Sequence, residues 1–326
     1  MCTSIRLSGV RTFFGRNMDI ECSFGENVAL TPRGYTIKLR HEREVNSHYA
    51  ILGMASVIDS YPLYADAFNE KGLCIAGLNF PVNTRYLPIE EIDPEKYRIA
   101  PFEFPLFLLS KCKSVEECKA LLNDTGITDV SFSDQLKATP LHWHIADKDS
   151  SVVVECLSTG ISVLDDPADV LANNPPFDMQ IMNLAAYQNL TPQKAENCLS
   201  RLGDFYSLGK AFGAVGLPGD FSSPSRFVKS AYLTALSRML PPSEITLAHL
   251  FSLLRSVAVP KGAVTDSGET GKSHYTLYTC GMDIENMSYN YQRYDSLDLN
   301  TVYMRQEDID GRDILIFGDT NDKELA

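Results

Sequence analysis

Apolar residues along the chain fall mostly in short runs separated by turn-forming residues, the pattern of a protein rich in strands. Residues 3–7, a turn at Ser8-Gly9, residues 12–14, residues 27–30, a Pro32-Arg33-Gly34 turn and residues 35–39 read as hairpin strands. Residues 49–57 form a near-continuous apolar run, which predicts a strand covered on both faces. Residues 64–68 and 73–80, joined by Asn69-Glu70-Lys71-Gly72, read as strand, turn, strand, and the charged, proline-punctuated segment 85–99 as a surface loop. Ser114-Val115-Glu116-Glu117 is a capping box that opens a helix to about residue 122.

Further on, residues 141–146 and 151–155 flank Asp147-Lys148-Asp149-Ser150 as a hairpin, and residues 161–164 add a short strand. Residues 179–190 carry helical apolar spacing, and 224–240 and 245–257 read as amphipathic helices. The last third closes with strands over 275–280, 287–294 and 301–304. Segment 189–211 is polar and irregular, fitting a long arm or a subunit contact. The order strands, helix, strands, helices, strands predicts an α+β protein, two antiparallel sheets between helical layers rather than a doubly wound parallel sheet. With no internal repeat and no low-complexity linker, residues 2–326 are expected to form one domain.

Composition narrows the function classes. The chain has 326 residues, 44% hydrophobic and 22% charged, enough apolar material for a sizeable core. Its net charge of -13 argues against nucleic acid or an anionic membrane as partner, though an anionic small substrate needs only a local Arg or Lys. The eight cysteines show no C-x-x-C spacing and read as reduced thiols of a cytosolic protein. Neither a signal peptide nor an apolar stretch near the roughly 20 residues of a membrane span is visible.

The chemistry concentrates at the N-terminus. Removal of Met1, which the small Cys2 side chain permits, would leave a residue with both a thiol and a free α-amine. Such a residue can attack a carbonyl while its own amine takes the proton. A free thiol titrates near about 8.5 and an α-amine near about 7.7 to 8.0, so modest shifts bring both toward neutral pH. Taken alone, Cys2 could equally be an ordinary buried thiol.

Four polar clusters accompany it. Arg16-Asn17-Met18-Asp19 follows a strand and either flanks Cys2 or forms a surface ion pair. Asn79 before Pro81 and Asn173 before Asn174-Pro175 could donate amide hydrogens to an oxyanion, or could simply mark turns. Arg226 falls in the first turn of a helix, where a cation opposes the dipole, which points to another task or to a solvated side chain. His142 and His144 share a strand face and could bind a metal, but lack a third ligand nearby and otherwise read as satisfied or surface residues. Gly216-Leu217-Pro218-Gly219-Asp220 before a helix is an anion-binding turn or a plain one.

Together, Met1-Cys2-Thr3, Gly15-Arg16-Asn17-Met18-Asp19, Asn69-Glu70-Lys71-Gly72-Leu73, Ala76-Gly77-Leu78-Asn79-Phe80-Pro81, Leu141-His142-Trp143, Asn173-Asn174-Pro175 and Gly216-Leu217-Pro218-Gly219-Asp220 with Ser225-Arg226-Phe227 resemble, in order, the choloylglycine hydrolase family of N-terminal nucleophile hydrolases. The resemblance covers essentially the whole chain. It implies a four-layer αββα sandwich and hydrolysis of an amide between a bulky acyl group and a small amine. It also implies Cys2 as nucleophile, its amine as base, Arg16 and Asp19 holding them, Asn79 and Asn173 as oxyanion and positioning groups, and Arg226 as electrostatic support. Met18, Ala65, Phe132, Leu136 and Leu141 match positions that line the family's apolar acyl site; from sequence alone they could be core packing. Ala172 departs from the Thr usual before the Asn pair.

Within the family, Asn79 resembles the bile salt branch, where penicillin V acylases often carry Tyr. The resemblance therefore implies hydrolysis of glycine- or taurine-conjugated bile acids through a thioester, with no metal or organic cofactor. A bacterial cytoplasm and a homotetramer are implied likewise, with 189–211 as the assembly arm. The rival readings are a penicillin V acylase or broader N-acyl amidase, a glutamine amidotransferase, against which Thr3 speaks because those usually begin Cys-Gly-Ile, and a non-catalytic steroid-binding protein.

Overall fold

The computed structural model describes residues 1–205, 209–265 and 271–318. In chain order its elements are β1 (Cys2–Ser8), β2 (Thr12–Ile20), β3 (Asn27–Thr31), β4 (Ile51–Ile58), β5 (Tyr61–Asn69), β6 (Cys74–Asn79) and β7 (Tyr97–Ile99), then α1 (Phe104–Lys111) and α2 (Val115–Asn123). There follow β8 (Thr125–Ile127), β9 (Leu141–Ala146), β10 (Ser151–Leu157), β11 (Gly160–Asp165), β12 (Val170–Leu171), α3 (Phe177–Asn183), α4 (Ser223–Ser237) and α5 (Leu247–Arg255). The described chain closes with β13 (Val264–Thr265), β14 (Ser273–Asp283), β15 (Ser288–Arg293), β16 (Asn300–Tyr303) and β17 (Leu315–Phe317).

These strands build two antiparallel sheets. One runs β12-β1-β2-β14-β15-β16, with β13 added beside β14; the other runs β11-β10-β9-β6-β5-β4-β3-β17. Helices α4 and α5 pack on the first sheet and α1 on the second. This is the expected αββα order. Alternation along the strands divides the apolar residues into two cores. Phe14, Leu30, Leu52, Met54, Phe68 and Leu78 fill the space between the sheets and join the α4 and α5 layer. Ile51, Ala55, Ile75, Trp143 and Ile145 point the other way, onto Phe104 and Phe107 of α1. Burying each Leu- or Phe-sized side chain contributes about 1.5 to 3 kcal/mol.

Helix α1 has no counterpart in the sequence reading. Seven of its eight residues are buried, so it lacks the polar stripe by which periodicity reveals a helix. The Asn69 turn holds its end, because Asn69 Nδ2 donates to the carbonyls of Leu109 and Cys112 at 2.8 and 2.7 Å while Oδ1 accepts from Lys71 and Leu73. The Ser114 half of the expected capping box on α2 is present: Ser114 Oγ accepts from Glu117 N at 3.3 Å. The Glu117 carboxylate accepts from Lys113 N rather than from the cap residue.

Several expected boundaries shift. Residues 35–39 form only an isolated bridge, Ile37 with Val45, rather than a strand. Segment 85–99 is not wholly loop, since β7 pairs in parallel with β8. The 179–190 helix is α3 followed by a 3-10 turn over Leu184–Tyr187. The largest correction is β2, expected to end at residue 14. It continues to Ile20 because Arg16, Asn17 and Asp19 find partners inside the protein. Among the described residues, no helix is long and apolar enough to cross a membrane.

The close approach of α5 rests on two cross-strand glycines, Gly15 and Gly281. A Cβ at Gly15 would stand 2.3 Å from the Cys280 carbonyl oxygen and 2.9 Å from Leu250 Cδ2, and one at Gly281 2.8 Å from Leu247 Cδ1. Gly15→Ala is therefore expected to destabilise the protein by about 1 to 3 kcal/mol through forced displacement of backbone, read as a lower midpoint in urea unfolding with an unchanged slope.

Candidate active site

β1 and β2 pair so that Cys2 lies opposite Met18 and Ser4 opposite Arg16. Cross-strand partners share a face, so these four side chains look toward the second sheet while Asn17 and Asp19 look toward the helices. Cys2 is 4% exposed, and Arg16 Nη2 donates to its Sγ at 2.7 Å. The other guanidinium nitrogen, Nη1, donates to the carbonyls of Gly77 and Ala65 at 2.8 and 3.1 Å. Ala65 is available because β5 carries a bulge there: Met54 pairs with Asp66 and Ala55 with Tyr64, leaving Ala65 without a partner in the ladder. Met18 Sδ completes the surroundings of the thiol at 3.8 Å.

The backbone of Cys2 is held from the other side. Cys2 N donates to Asn173 Oδ1 at 2.7 Å, and Asn173 Nδ2 donates to the Asn79 carbonyl at 2.6 Å. Arg226, at 1% exposure, reaches from α4 to donate to the Cys2 carbonyl, to Thr3 Oγ1 at 2.5 Å and to Asn173 Oδ1 at 2.8 Å. That accounts for a cation in the first turn of α4. Asp19 Oδ1 accepts from Thr276 Oγ1 at 2.6 Å, at a second bulge where Leu277 is skipped between the β2 and β14 ladders. Asp19 Oδ2 lies 3.8 Å from Arg226 and, among the described residues, is buried without a hydrogen-bond donor. The Met1 amine donates to the Asp19 carbonyl oxygen at 2.6 Å.

Met18, which touches the thiol, also lines a cavity of about 230 Å³. All five residues expected to line an acyl pocket are on its wall: Met18, Ala65, Phe132, Leu136 and Leu141. None of the five belongs to the fully buried core, and Leu136 at the rim is 42% exposed. Trp143, Phe24 and Phe102 also line the cavity. Asn79 ends β6 directly opposite Leu141 and so shares its face, with an exposed side chain.

The structure thus brings Cys2, Arg16, Asp19, Asn173 and Arg226 together, with Asn79 joined to them through Asn173. Arg16 and Asp19 do not pair with each other, because residues three apart on a strand face opposite ways. The groups missed from sequence are Asp66, Tyr278, Tyr289 and Thr276, which come from β5, β14 and β15 and meet the site only through sheet pairing. A polar Asp66 within an apolar strand was the one signal available. Burial disfavours the Arg16 cation, but Cys2, Tyr278 and Asp66 around it outweigh that and raise its pKa above the usual guanidinium value. Burial instead prevails at Arg226, whose pKa is lowered despite Asp19 and Cys2.

The remaining motifs are structural. His144 Nδ1 bonds with Ser4 Oγ at 2.8 Å. His142 stacks on Phe80, its Nε2–H donates to the Ala172 carbonyl at 2.8 Å, and its Nδ1 lies 3.2 Å from Glu155 Oε1. The glycine turn before α4 already holds an anion of its own: Asp220 accepts from Ser222 N and Ser225 Oγ, which hold its pKa down to about 2. Burial lowers the His142 pKa, against the pull of Glu155. A histidine depressed on folding binds its proton in the unfolded chain first, so it makes stability fall as pH drops below about 6.5. In His142→Asn the slope of unfolding free energy against pH between 5 and 6.5 is expected to be shallower than in the parent, measured by urea titration at each pH.

Comparison with known proteins gives the family. Residues 2–317 match the family described as linear amide C-N hydrolases, choloylglycine hydrolase family. A bile salt hydrolase/transferase from Lactiplantibacillus plantarum is 39% identical over 319 residues, covering 97% of this chain and 96% of its own. The crystal structure of a conjugated bile acid hydrolase from Clostridium perfringens is similar with a TM-score of 0.92 at 36% identity, over 98% of this chain and 97% of the other. A penicillin V acylase from Agrobacterium tumefaciens, at 23% identity and a TM-score of 0.72 over 96% of this chain and 90% of its own, shares the fold. A buried thiol at residue 2, a two-sheet sandwich and a match along nearly the entire length lead to one assignment: the chain belongs to the choloylglycine hydrolase family of linear amide C-N hydrolases.

Proposed function

We propose that this protein hydrolyses the amide bond of glycine- or taurine-conjugated bile acids, with Cys2 as nucleophile. The observation that carries the reading is a thiol held at 2.7 Å by Arg16 and touched by Met18, which walls an apolar cavity with Ala65, Phe132, Leu136 and Leu141. A steroid body suits such a wall, since each Å² of apolar surface removed from water contributes about 25 cal/mol. The names of the relatives, a bile salt hydrolase/transferase and a conjugated bile acid hydrolase, support the same substrate class.

In this reading Met1 is removed first, which turns the Cys2 amide nitrogen into an amine next to Asn173 Oδ1. The unpartnered Asp19 Oδ2 is suited to accept from the ammonium that forms when this amine takes the thiol proton. Sγ then attacks the amide carbon, and the oxyanion is stabilised by Asn79 and Asn173. The ammonium returns its proton to the leaving nitrogen as the C–N bond breaks, leaving a thioester and releasing glycine or taurine. Water, deprotonated by the same amine, attacks the thioester and frees the bile acid and the thiol. Arg226 holds the Cys2 carbonyl throughout.

The protein is further proposed to be one catalytic domain over residues 2–326 and to act in a bacterial cytoplasm, a reducing setting supported by its eight free thiols. We assign segment 189–211, of which 206–208 lie outside the described residues, as the arm of a homotetramer. Leu199, Leu202 and Phe205 on it are apolar yet exposed, Leu202 at 77%, as expected of a surface covered by another copy. Leu202→Asp should lower the mass seen by light scattering toward that of the protomer; an unchanged mass would remove this segment from the interface.

The function is tested by intact mass together with a ninhydrin assay for glycine or taurine released from conjugated bile acids. A chain lacking Met1 that releases amino acid, with release lost in Cys2→Ala and reduced on the order of a hundredfold in Asn79→Ala, is the expected outcome. A correctly processed chain that releases nothing, or that prefers penicillin V, would overturn the bile salt assignment.

A further inference from the structure

Arg16 has a second anionic neighbour that the reaction itself does not use. Asp66 on β5 is fully buried, and its carboxylate lies 3.7 Å from Arg16 Nη1, whereas Cys2 Sγ meets Nη2. It comes from the opposite sheet, yet the first sheet holds it: Tyr278 Oη donates to Oδ2 at 2.6 Å, Tyr289 Oη to Oδ1 at 2.5 Å, and Cys280 Sγ to Oδ1 at 3.3 Å. Three donors aimed at one buried carboxylate hold it in place. Burial, followed by the charge of Asp66, raises the pKa of both tyrosines, so they remain donors at any working pH.

A buried carboxylate and guanidinium are expensive to desolvate, and a merely structural contact between the sheets would be served at least as well by apolar packing. The position of this pair suggests a purpose. Arg16 divides its field between the thiol and Asp66. We infer that Asp66 is a positioning residue for the Cys2 thiol, acting through Arg16: its charge offsets that of the guanidinium, so that Arg16 orients Sγ without locking it as an over-stabilised thiolate. A thiolate bound too tightly to a cation is a poorer nucleophile, because intrinsic reactivity falls as the thiol becomes more acidic.

The charged and titratable groups facing this cluster are Cys2 from β1, Arg16 and Asp19 from β2, Asp66 from β5, Tyr278 and Cys280 from β14, Tyr289 from β15 and Arg226 from α4. Asp66 meets Cys2 only through Arg16, so its charge can be removed with no loss of a direct contact to Cys2. The inference rests on Cys2 being the nucleophile, but its test reads the thiol itself and needs no substrate.

The experiment is the pH dependence of iodoacetamide alkylation at Cys2, followed by peptide mass in protein lacking Met1, for the parent and Asp66→Asn. The alkylation midpoint should fall by about one pH unit in Asp66→Asn, because Arg16 then has the thiolate as its only anionic partner. With bile salt turnover above both midpoints as a second readout, kcat should drop about threefold, with KM within twofold, since the cavity wall is untouched. A midpoint that stays or rises in folded Asp66→Asn protein overturns the inference, as does a KM effect with kcat unchanged. Should Asp66→Asn fail to fold, Tyr278→Phe replaces it. Loss of one donor concentrates the negative charge of Asp66 on Arg16 and should raise the midpoint; no movement there is equally decisive against the idea. Failure of the bile salt reading would appear separately, as inactivity of processed parent protein with a normal alkylation profile.

Discussion

Everything near the N-terminus depends on one buried cation. The Arg16 guanidinium has no access to water, so each of its N–H groups must be met by protein. Those partners are drawn from both sheets: Sγ of Cys2 from the first, and the carbonyls of Ala65 and Gly77 with the carboxylate of Asp66 from the second. The sandwich can close over this charge only if all of them arrive together. The same condition holds the thiol next to Met18 on the cavity wall.

Two irregularities in otherwise regular ladders make the arrangement possible. The bulge at Ala65 leaves a carbonyl free for Arg16 and puts the residue on the cavity wall. The bulge at Leu277 brings the hydroxyl of Thr276 onto Asp19. An extra residue re-aims a strand locally, and bulges of this kind gather near active sites. The apolar layers on either side supply the opposing requirement, rigidity: Gly15 and Gly281 let α5 lie directly on the strand that carries Arg16 and Asp19. Arg226, from α4, then holds the backbone of Cys2, while Arg16 of β2 holds its thiol.

Much of this protein was legible without coordinates. Strand runs such as β9, found at the very residues expected, and the capped start of α2 follow from alternation and local hydrogen bonding, which act within a few residues. The two-sheet order between helical layers followed from the succession of elements, and Arg16, Asp19, Asn173 and Arg226 stood out as polar candidates to which only the family resemblance gave roles. What the sequence could not show is where long-range pairing takes over. β2 runs past residue 14 because its polar side chains are satisfied by residues dozens to hundreds of positions away, and α1 hides because burial on all sides erases its stripe. Asp66, Tyr278 and Tyr289 lie more than 200 positions apart at the extremes and meet only when β5 of one sheet is stacked on β14 and β15 of the other. Sequence alone thus determined the elements and the residues able to do chemistry, since propensity, capping and charge are local properties. Tertiary structure decided which of those residues face the thiol, because the face a strand residue presents is set by register and bulges between strands distant in the chain.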